Sequence, residues 1–152
     1  NEYRQKLLAE KNIVIPENEI TPKEWSSISK SRLTEDFIRE FQNQVDWVYI
    51  SSYQRLSEDF IREFEHKVDW VRISIHQILS DEFILEFRDS MDWDRYLFYQ
   101  EASFSIIKKF IFKTEYAHID KIKHSHLSDV QKQEIEKMLA LKYMFKKVSY
   151  HS

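Results

Sequence analysis

Glycine is absent from all 152 residues of this chain, against a usual share of about 7%. Without it no P-loop, dinucleotide fingerprint or nucleophile elbow can be built. Few turns can require positive φ, since glycine supplies that conformation at least steric cost. Cysteine is absent too, which excludes a disulfide framework and any thiolate metal site and fits a reducing compartment. Only 2 prolines and 4 alanines are present. No run approaches the ~18 to 20 apolar residues of a membrane span, and Asn1 to Lys11 holds no signal-peptide hydrophobic region, so a soluble protein is expected. The chain begins at Asn1 rather than methionine, so a preceding segment, trimmed or left out with any targeting information in it, is expected. The net charge of −3 is spread along the chain and gives no global attraction to phosphate backbones. Nucleic acid is therefore disfavoured, with local basic faces only at Lys108 and Lys109 or at Lys142, Lys146 and Lys147.

What is present is repetition. Trp25, Trp47, Trp70 and Trp93 each open a segment of the form W-x-x-I-S followed by S/T-E-D-F-I-R-E-F, at intervals of 22, 23 and 23 residues. A fixed short period marks an array of small units. Counting each Trp as zero, Ile28, Ile50, Ile73 and Tyr96 stand at +3. Leu56 and Leu79 stand at +9, with Leu33 one residue early. The pairs Phe37-Ile38, Phe60-Ile61, Phe83-Ile84 and Ile106-Ile107 follow, and then Phe41, Phe64, Phe87 and Phe110. The spacing i, i+1, i+4 is the stripe of a helix. Thr34, Ser57, Ser80 and Ser103 occupy its N-cap, where a hydroxyl accepts from orphan amides. Acidic residues such as Glu58 and Asp59 follow, where the helix dipole favours negative charge.

The Trp segment is harder to assign. WVYIS and WVRIS have strong β propensity, and a period of roughly 20 to 29 residues also suits strand-plus-helix repeats. The first unit arbitrates: Thr21-Pro22-Lys23-Glu24 is a capping box with proline at N1, which puts Trp25 in the first turn of a helix. Asn43 with Asp46, and Asp89 with Asp92, suggest the same cap before Trp47 and Trp93. The expected fold is all-α, a short solenoid of about four helix–turn–helix repeats of 22 to 23 residues, with a strand-plus-helix repeat as the rival. Residues 1–20 form an N-terminal capping segment, 21–112 the four repeats, and 113–152 a degenerate fifth repeat and a C-terminal capping helix. In that last segment Tyr116 stands where a fifth Trp would fall and Ile119 keeps the +3 place. A final helix from about Asp129 to Lys147 carries Ile135, Met138, Leu139 and Leu141 to Met144 toward the core. One unit cannot bury enough apolar surface to fold alone, and stacked neighbours supply the rest.

Candidate chemistry is sparse. Asp46, Asp69 and Asp92, with Glu24 in the same place, form a row of acids, but repetition in every unit assigns them to helix capping. His118, His124 and His126 lie near Glu115 and Asp120, residue types of a metal site. Their spacing matches no ligand signature, and solvated histidines in an irregular joint are the expectation. His66, His76 and His151 are isolated, no Ser/His/Asp set is suggested, and no cofactor or small-molecule substrate is implied. The Trp row could serve as a stacking platform, yet each Trp shares a helical face with the residue at +3, which favours core packing. The positions that vary between units are more informative: Tyr49, Arg72 and Arg95 at +2, where unit one has Ser27, and Tyr53, His76 and Tyr99 at +6. Tyr and Arg are enriched in binding hot spots, and a repeat array presents such positions as a surface. These six are the partner-binding candidates.

The repeat W-x-x-I-S-x-x-Q-x-L-S-E-D-F-I-R-E-F-x-x-x-V-D-W, Trp47 to Trp70 here, resembles tandem repeats of proteins encoded by giant DNA viruses of amoebae, of the mimivirus and marseillevirus kind. The resemblance covers residues 21 to 112 and weakens in the fourth unit, where Ala102 replaces Leu and Ile106 replaces Phe. It implies a viral source, in keeping with the AT-rich coding that the composition suggests, and a place in the virion or the infected-cell cytoplasm. It carries over no activity and no catalytic residues. The expected function is a non-enzymatic module that binds host or virion proteins through its solenoid face. A self-assembling virion component is the alternative, and a metal-dependent enzyme at the His118 to His126 joint trails behind both.

Overall fold

Helices of six or seven residues leave almost every backbone group at a terminus, because four amides and four carbonyls at each end have no partner within a helix. Their formation here depends on how those groups are satisfied. A computed structural model describes residues 1–151, with side chains through Lys147. The side chain of His151 thus lies outside the described residues. The fold is all-α, and no strand occurs among the described residues. The chain divides into two compact units, Asn1–Gln77 and Ile78–Ser152.

The first unit holds α1 (Glu2–Glu10), a 3-10 turn at Glu17–Glu19, α2 (Pro22–Lys30), α3 (Glu35–Glu40), α4 (Trp47–Tyr53), α5 (Glu58–Glu63) and α6 (Trp70–His76). The Trp segments are helical, which decides against the strand-plus-helix rival. Caps override β propensity: Asp46 Oδ1 accepts from the amides of Val48 and Tyr49 at 3.1 and 3.4 Å, and Asp69 Oδ1 from Arg72 N at 3.0 Å. The Thr21 box forms as expected, with Thr21 N donating to Glu24 at 2.7 Å and Glu24 N to Thr21 Oγ1 at 3.2 Å. Here the cap lies three residues further upstream, so Trp25 is the fourth helical residue, whereas Trp47 and Trp70 are the first. Asn43 does not cap; its side chain accepts from Lys67 Nζ at 2.9 Å, because Asp46, adjacent to the helix, already reaches the free amides. Thr34 and Ser57 cap α3 and α5, each accepting from a Phe amide at 3.1 Å.

The helices end without glycine. Phe41 and Phe64 close α3 and α5 at φ −103° and −111° with ψ near 30°, so the chain leaves each helix through right-handed turns. Phe41 O then accepts from both Gln44 N and Val45 N, at 2.9 and 3.0 Å. Asn12, φ 60°, has the one positive φ among the described residues.

Helix α4 packs between α2 and α6. Buried Ser29, Ser51 and Ser74, the Ser of each W-x-x-I-S, lie along this stack. Ser29 Oγ donates to Trp25 O at 2.7 Å and accepts from Asp46 N at 2.9 Å. Ser51 Oγ accepts from Asp69 N at 2.9 Å. The glutamines that follow the helices are buried as well. Gln54 accepts from Leu33 N at 3.1 Å and donates to Ser29 O at 2.9 Å and to Ser31 O at 2.5 Å. Gln77 repeats this one unit on, accepting from Leu56 N at 3.1 Å and donating to Ser51 O at 2.9 Å and Gln54 O at 2.7 Å. Glu35 accepts from both the amide and hydroxyl of Ser57, at 2.7 and 2.9 Å, so one repeat's helix acid holds the next repeat's cap. Phe37, Ile38, Phe41, Phe60 and Ile61 fill the core. At the N-terminal end Arg4 pairs with Glu17 and lies 4.6 Å over the Phe41 ring, which ties α1 to the first repeat.

The second unit holds α7 (Asp81–Glu86), α8 (Trp93–Tyr99), α9 (Phe104–Phe110), 3-10 turns at Ile111–Lys113 and Ile119–Lys121, and α10 (Asp129–His151). Ser80 and Ser103 cap α7 and α9 at 3.2 Å each, and Asp92 caps α8 through Arg95 N at 3.0 Å. Asp89, like Asn43, is no cap and lies 3.9 Å from Lys113 instead. No fifth Trp-type helix forms. Leu97 occupies the place of the buried serine, so the acceptor for a next cap amide is missing. Glu115 N turns to Asp94 Oδ1 at 2.9 Å and Lys123 N to Leu97 O at 2.9 Å. Ser128 and Gln131 then form a reciprocal box that opens α10, at 3.0 and 3.1 Å. Ile135 and Leu139 are buried, but Leu141 and Met144 are exposed, so only the first half of α10 closes this core and not the full stretch expected.

Two measurements test this architecture. Gln54→Leu strands the buried Ser29 carbonyl together with the part-buried Leu33 amide and Ser31 carbonyl; at ~1–3 kcal/mol for a buried unsatisfied group, urea unfolding should lose about 2–4 kcal/mol. A loss below ~0.5 kcal/mol would mean that water or neighbours replace the glutamine. Tyr96, buried in α8, has its hydroxyl pKa pushed up to about 12, by burial first and Asp81 second. A raised folded pKa keeps this stabilisation whole below the ordinary value of ~10, and it is lost as pH rises from there toward about 12, where the unfolded chain has released a proton that the folded one retains. Urea midpoints should fall across that window, and Tyr96→Phe should flatten the fall; an unchanged slope would assign it to other groups.

Candidate functional site

The repeat places Trp where its ring packs and its N–H is used. Trp47 Nε1 donates to Gln42 O at 2.9 Å, Trp70 to Glu65 O at 3.0 Å and Trp93 to Arg88 O at 3.0 Å, always the carbonyl five residues upstream. Trp25 lies 5.4 Å from Phe41, Trp47 lies 5.2 Å from Phe64, and Trp93 stacks on Phe110 at 3.9 Å and 13°. Trp25 and Trp93 are buried, whereas Trp47 and Trp70 are half-buried. These rings are packing elements, and those of Trp47, Trp70 and Trp93 each commit their one donor to the framework.

The variable positions behave differently. In the first unit Tyr49, Tyr53, Arg72 and His76 come together around a groove of about 570 Å³, whose wall also includes Asp46 and Ser52. The +2 and +6 residues of one helix share a face, and stacking α6 on α4 sets the second pair beside the first. The Tyr49 and Tyr53 rings lie 5.9 Å apart at 51°, and Lys30 Nζ sits 4.3 Å from the Tyr49 centroid. Tyr53, Arg72 and His76 are exposed, and Tyr49 is half-buried. Asp46, in the groove wall, accepts from its helix amides and from Ser26 Oγ at 3.1 Å, so its oxygens are already committed. In the second unit Arg95 and Tyr99 share α8. There Arg95 pairs with Asp92 at 2.8 Å, and Tyr99 lies edge-on to exposed Phe98 at 4.9 Å. The same position in the repeat therefore carries a neutralised guanidinium in α8.

The histidines of the joint do not converge. His118 precedes the 3-10 turn and is exposed. His126 Nε2 lies 2.6 Å from Ala102 O, and the buried Nδ1 of His124 has no hydrogen-bond partner. Among the described residues no group of three His, Asp or Glu side chains could hold a metal ion.

A second cavity, about 380 Å³, lies between the Tyr116 region and α10, lined by Glu115, Tyr116, Lys142, Tyr143 and Lys146. Burial lowers the pKa of Lys142, against the opposing pull of Glu115 and Asp94. A lowered lysine is a candidate nucleophile, but Lys142 Nζ donates to Thr114 O and, at 3.0 Å, to Tyr116 O, with Ile111 O 3.5 Å away. It serves as a cap for carbonyls released where α9 and its 3-10 extension end. Tyr116 likewise points inward, donating its hydroxyl to Asp94 O at 2.8 Å.

No protein-family model, curated protein or solved structure matches the chain. The geometry alone separates framework from groove, and mutagenesis can check the division. Trp93→Ala removes a buried, stacked ring and should cost about 3–5 kcal/mol in urea unfolding. Tyr53→Ala, at a side chain 61% exposed, should stay within about 0.5 kcal/mol of wild type. A large loss at Tyr53 would move it into the framework.

Proposed function

We propose that the chain is a non-enzymatic protein-interaction module of a giant virus of amoebae, acting on host or virion proteins in the infected cell or the particle. The groove of Tyr49, Tyr53, Arg72 and His76 carries the reading. It gathers the residues that differ between repeats, and it is built of side chains that contribute most per residue to protein interfaces. The viral setting rests on the resemblance of the repeat. Support for a non-catalytic role comes from how the acids and the lowered lysine are used: Asp46, Asp69 and Asp92 cap helices, and Lys142 caps carbonyls. Catalysis would need such groups turned toward a cleft.

Exposed Leu141 and Met144 on the second half of α10 favour the alternative, a packaged component that self-assembles. One experiment serves both. In affinity purification from infected cells, the wild-type chain should retain partners that the double variant Tyr53→Ala, Arg72→Ala loses. Identical partner sets would refute the groove as the binding surface, and high abundance in purified particles without co-purifying host factors would favour self-assembly.

A further inference from the structure

We infer that the groove of the first unit recognises acidic peptide segments, with Arg72 as the carboxylate anchor and the Tyr49–Tyr53 pair as the apolar seat; this rests on the interaction reading above and specifies its partner. The charges around the groove decide the class. Arg39 pairs with Asp36 and Glu63, Arg62 with Asp59, and Arg4 with Glu17, so the array ties several of its arginines to carboxylates. Arg72 differs. Only its backbone amide is used, by Asp69, and its guanidinium has no ion-pair or hydrogen-bond partner among the described residues. Its counterpart Arg95 is paired with Asp92.

The His76 ring and the Tyr53 hydroxyl are likewise without partners among the described residues. Lys30 adds a further positive charge above the Tyr49 ring. Against these stands Asp46, whose oxygens already accept from Val48, Tyr49 and Ser26. The unsatisfied valence of the groove is therefore cationic and donor-rich, beside two aromatic faces. A guanidinium offers a planar fork that matches a carboxylate bidentately. The volume of about 570 Å³ accommodates a few side chains. A segment that alternates acidic and apolar residues satisfies both halves: its carboxylates meet Arg72 and His76, and its apolar side chains lie on Tyr49 and Tyr53.

The test uses the full chain and a fluorescently labelled short peptide of alternating glutamate and leucine, with the glutamine–leucine peptide of equal length as its neutral counterpart. Anisotropy should show the glutamate peptide binding at least about tenfold more tightly, a margin of ~1.4 kcal/mol, and the affinity should fall as salt rises, since exposed charges are screened. Arg72→Gln should weaken the glutamate peptide by a similar factor while the melting temperature stays unchanged. Tyr53→Ala should weaken both peptides, and Tyr53→Phe should retain most of the binding. Equal affinity for the two peptides, insensitivity to Arg72→Gln, or binding by neither would overturn the proposal. So would a serine-phosphorylated peptide that binds where the glutamate peptide does not. If Tyr53→Ala, Arg72→Ala loses cellular partners yet the glutamate peptide fails to bind, the acidic class falls and the interaction surface stands. If the variant keeps all its partners, both fall.

Discussion

The structure depends on buried side-chain hydrogen bonds to backbone groups that short helices cannot satisfy themselves. A six-residue helix such as α3 or α5 is below the length at which an isolated helix is stable in water, and glycine-based C-caps are not available. The orphan groups are answered from the neighbouring repeat instead. Ser29 takes the amide of Asp46, Gln54 spans Ser29, Ser31 and Leu33, and Glu35 holds Ser57. Apolar burial of Phe37, Ile38 and their counterparts supplies most of the driving force, but it is non-directional. The serine and glutamine ladders fix the offset of one repeat on the next, because a slip by one residue would leave the amides they bind without their acceptors.

That dependence sorts the residues by what they remain able to do. The framework uses the Trp of every repeat and, wherever they recur, the buried Ser and Gln, the cap aspartates and the helix acids, so their chemistry is spent on the fold. At +2 the framework uses only the backbone amides of Tyr49 and Arg72, as donors to the cap aspartates, so the side chains there can vary without disturbing the stack. This is why Ser27, Tyr49 and Arg72 occupy one position in successive repeats of the same architecture. The groove side chains of α4 and α6 are thus distinct from the glutamines that form the ladder.

Much of the architecture was legible in the sequence. The i, i+1, i+4 stripe and the hydroxyl caps located α3, α5, α7 and α9, and the Thr21 box favoured helices for the Trp segments against their β propensity, with the strand-plus-helix rival left open until the structure. Tyr49, Tyr53, Arg72 and His76 were identifiable by their variation at fixed positions, although spacing along one helix could not show that α6 would bring its pair beside that of α4. The ladders were missed. Gln54 and Gln77 stand at a fixed place in the motif, but a polar residue just past a helix reads as solvated, and only their burial reveals the role. Their signal was invariance at a position where a surface residue should drift. Asn43 and Asp89 misled because a cap four residues before Trp is right for α2 alone, where the helix starts earlier.

The end of the array follows from the same bonds. In the fourth repeat the buried serine becomes Leu97, which can accept no cap amide through its side chain, and the +3 isoleucine becomes Tyr96. With that acceptor gone a further Trp-type helix has nothing to dock its N-terminus against, and the residues after Lys113 turn irregular even though Tyr116 and Ile119 keep the register. The backbone groups freed there still need partners, and they find them outside the repeat pattern: Glu115 N at Asp94, Tyr116 O and Thr114 O at Lys142. Loss of the serine thus coincides with the end of the repeat pattern, and Lys142 of α10 meets the carbonyls left there. A lysine suits that site because a cation is the natural partner for carbonyls gathered at a helix C-terminus, and its lowered pKa reflects the burial that this capping requires.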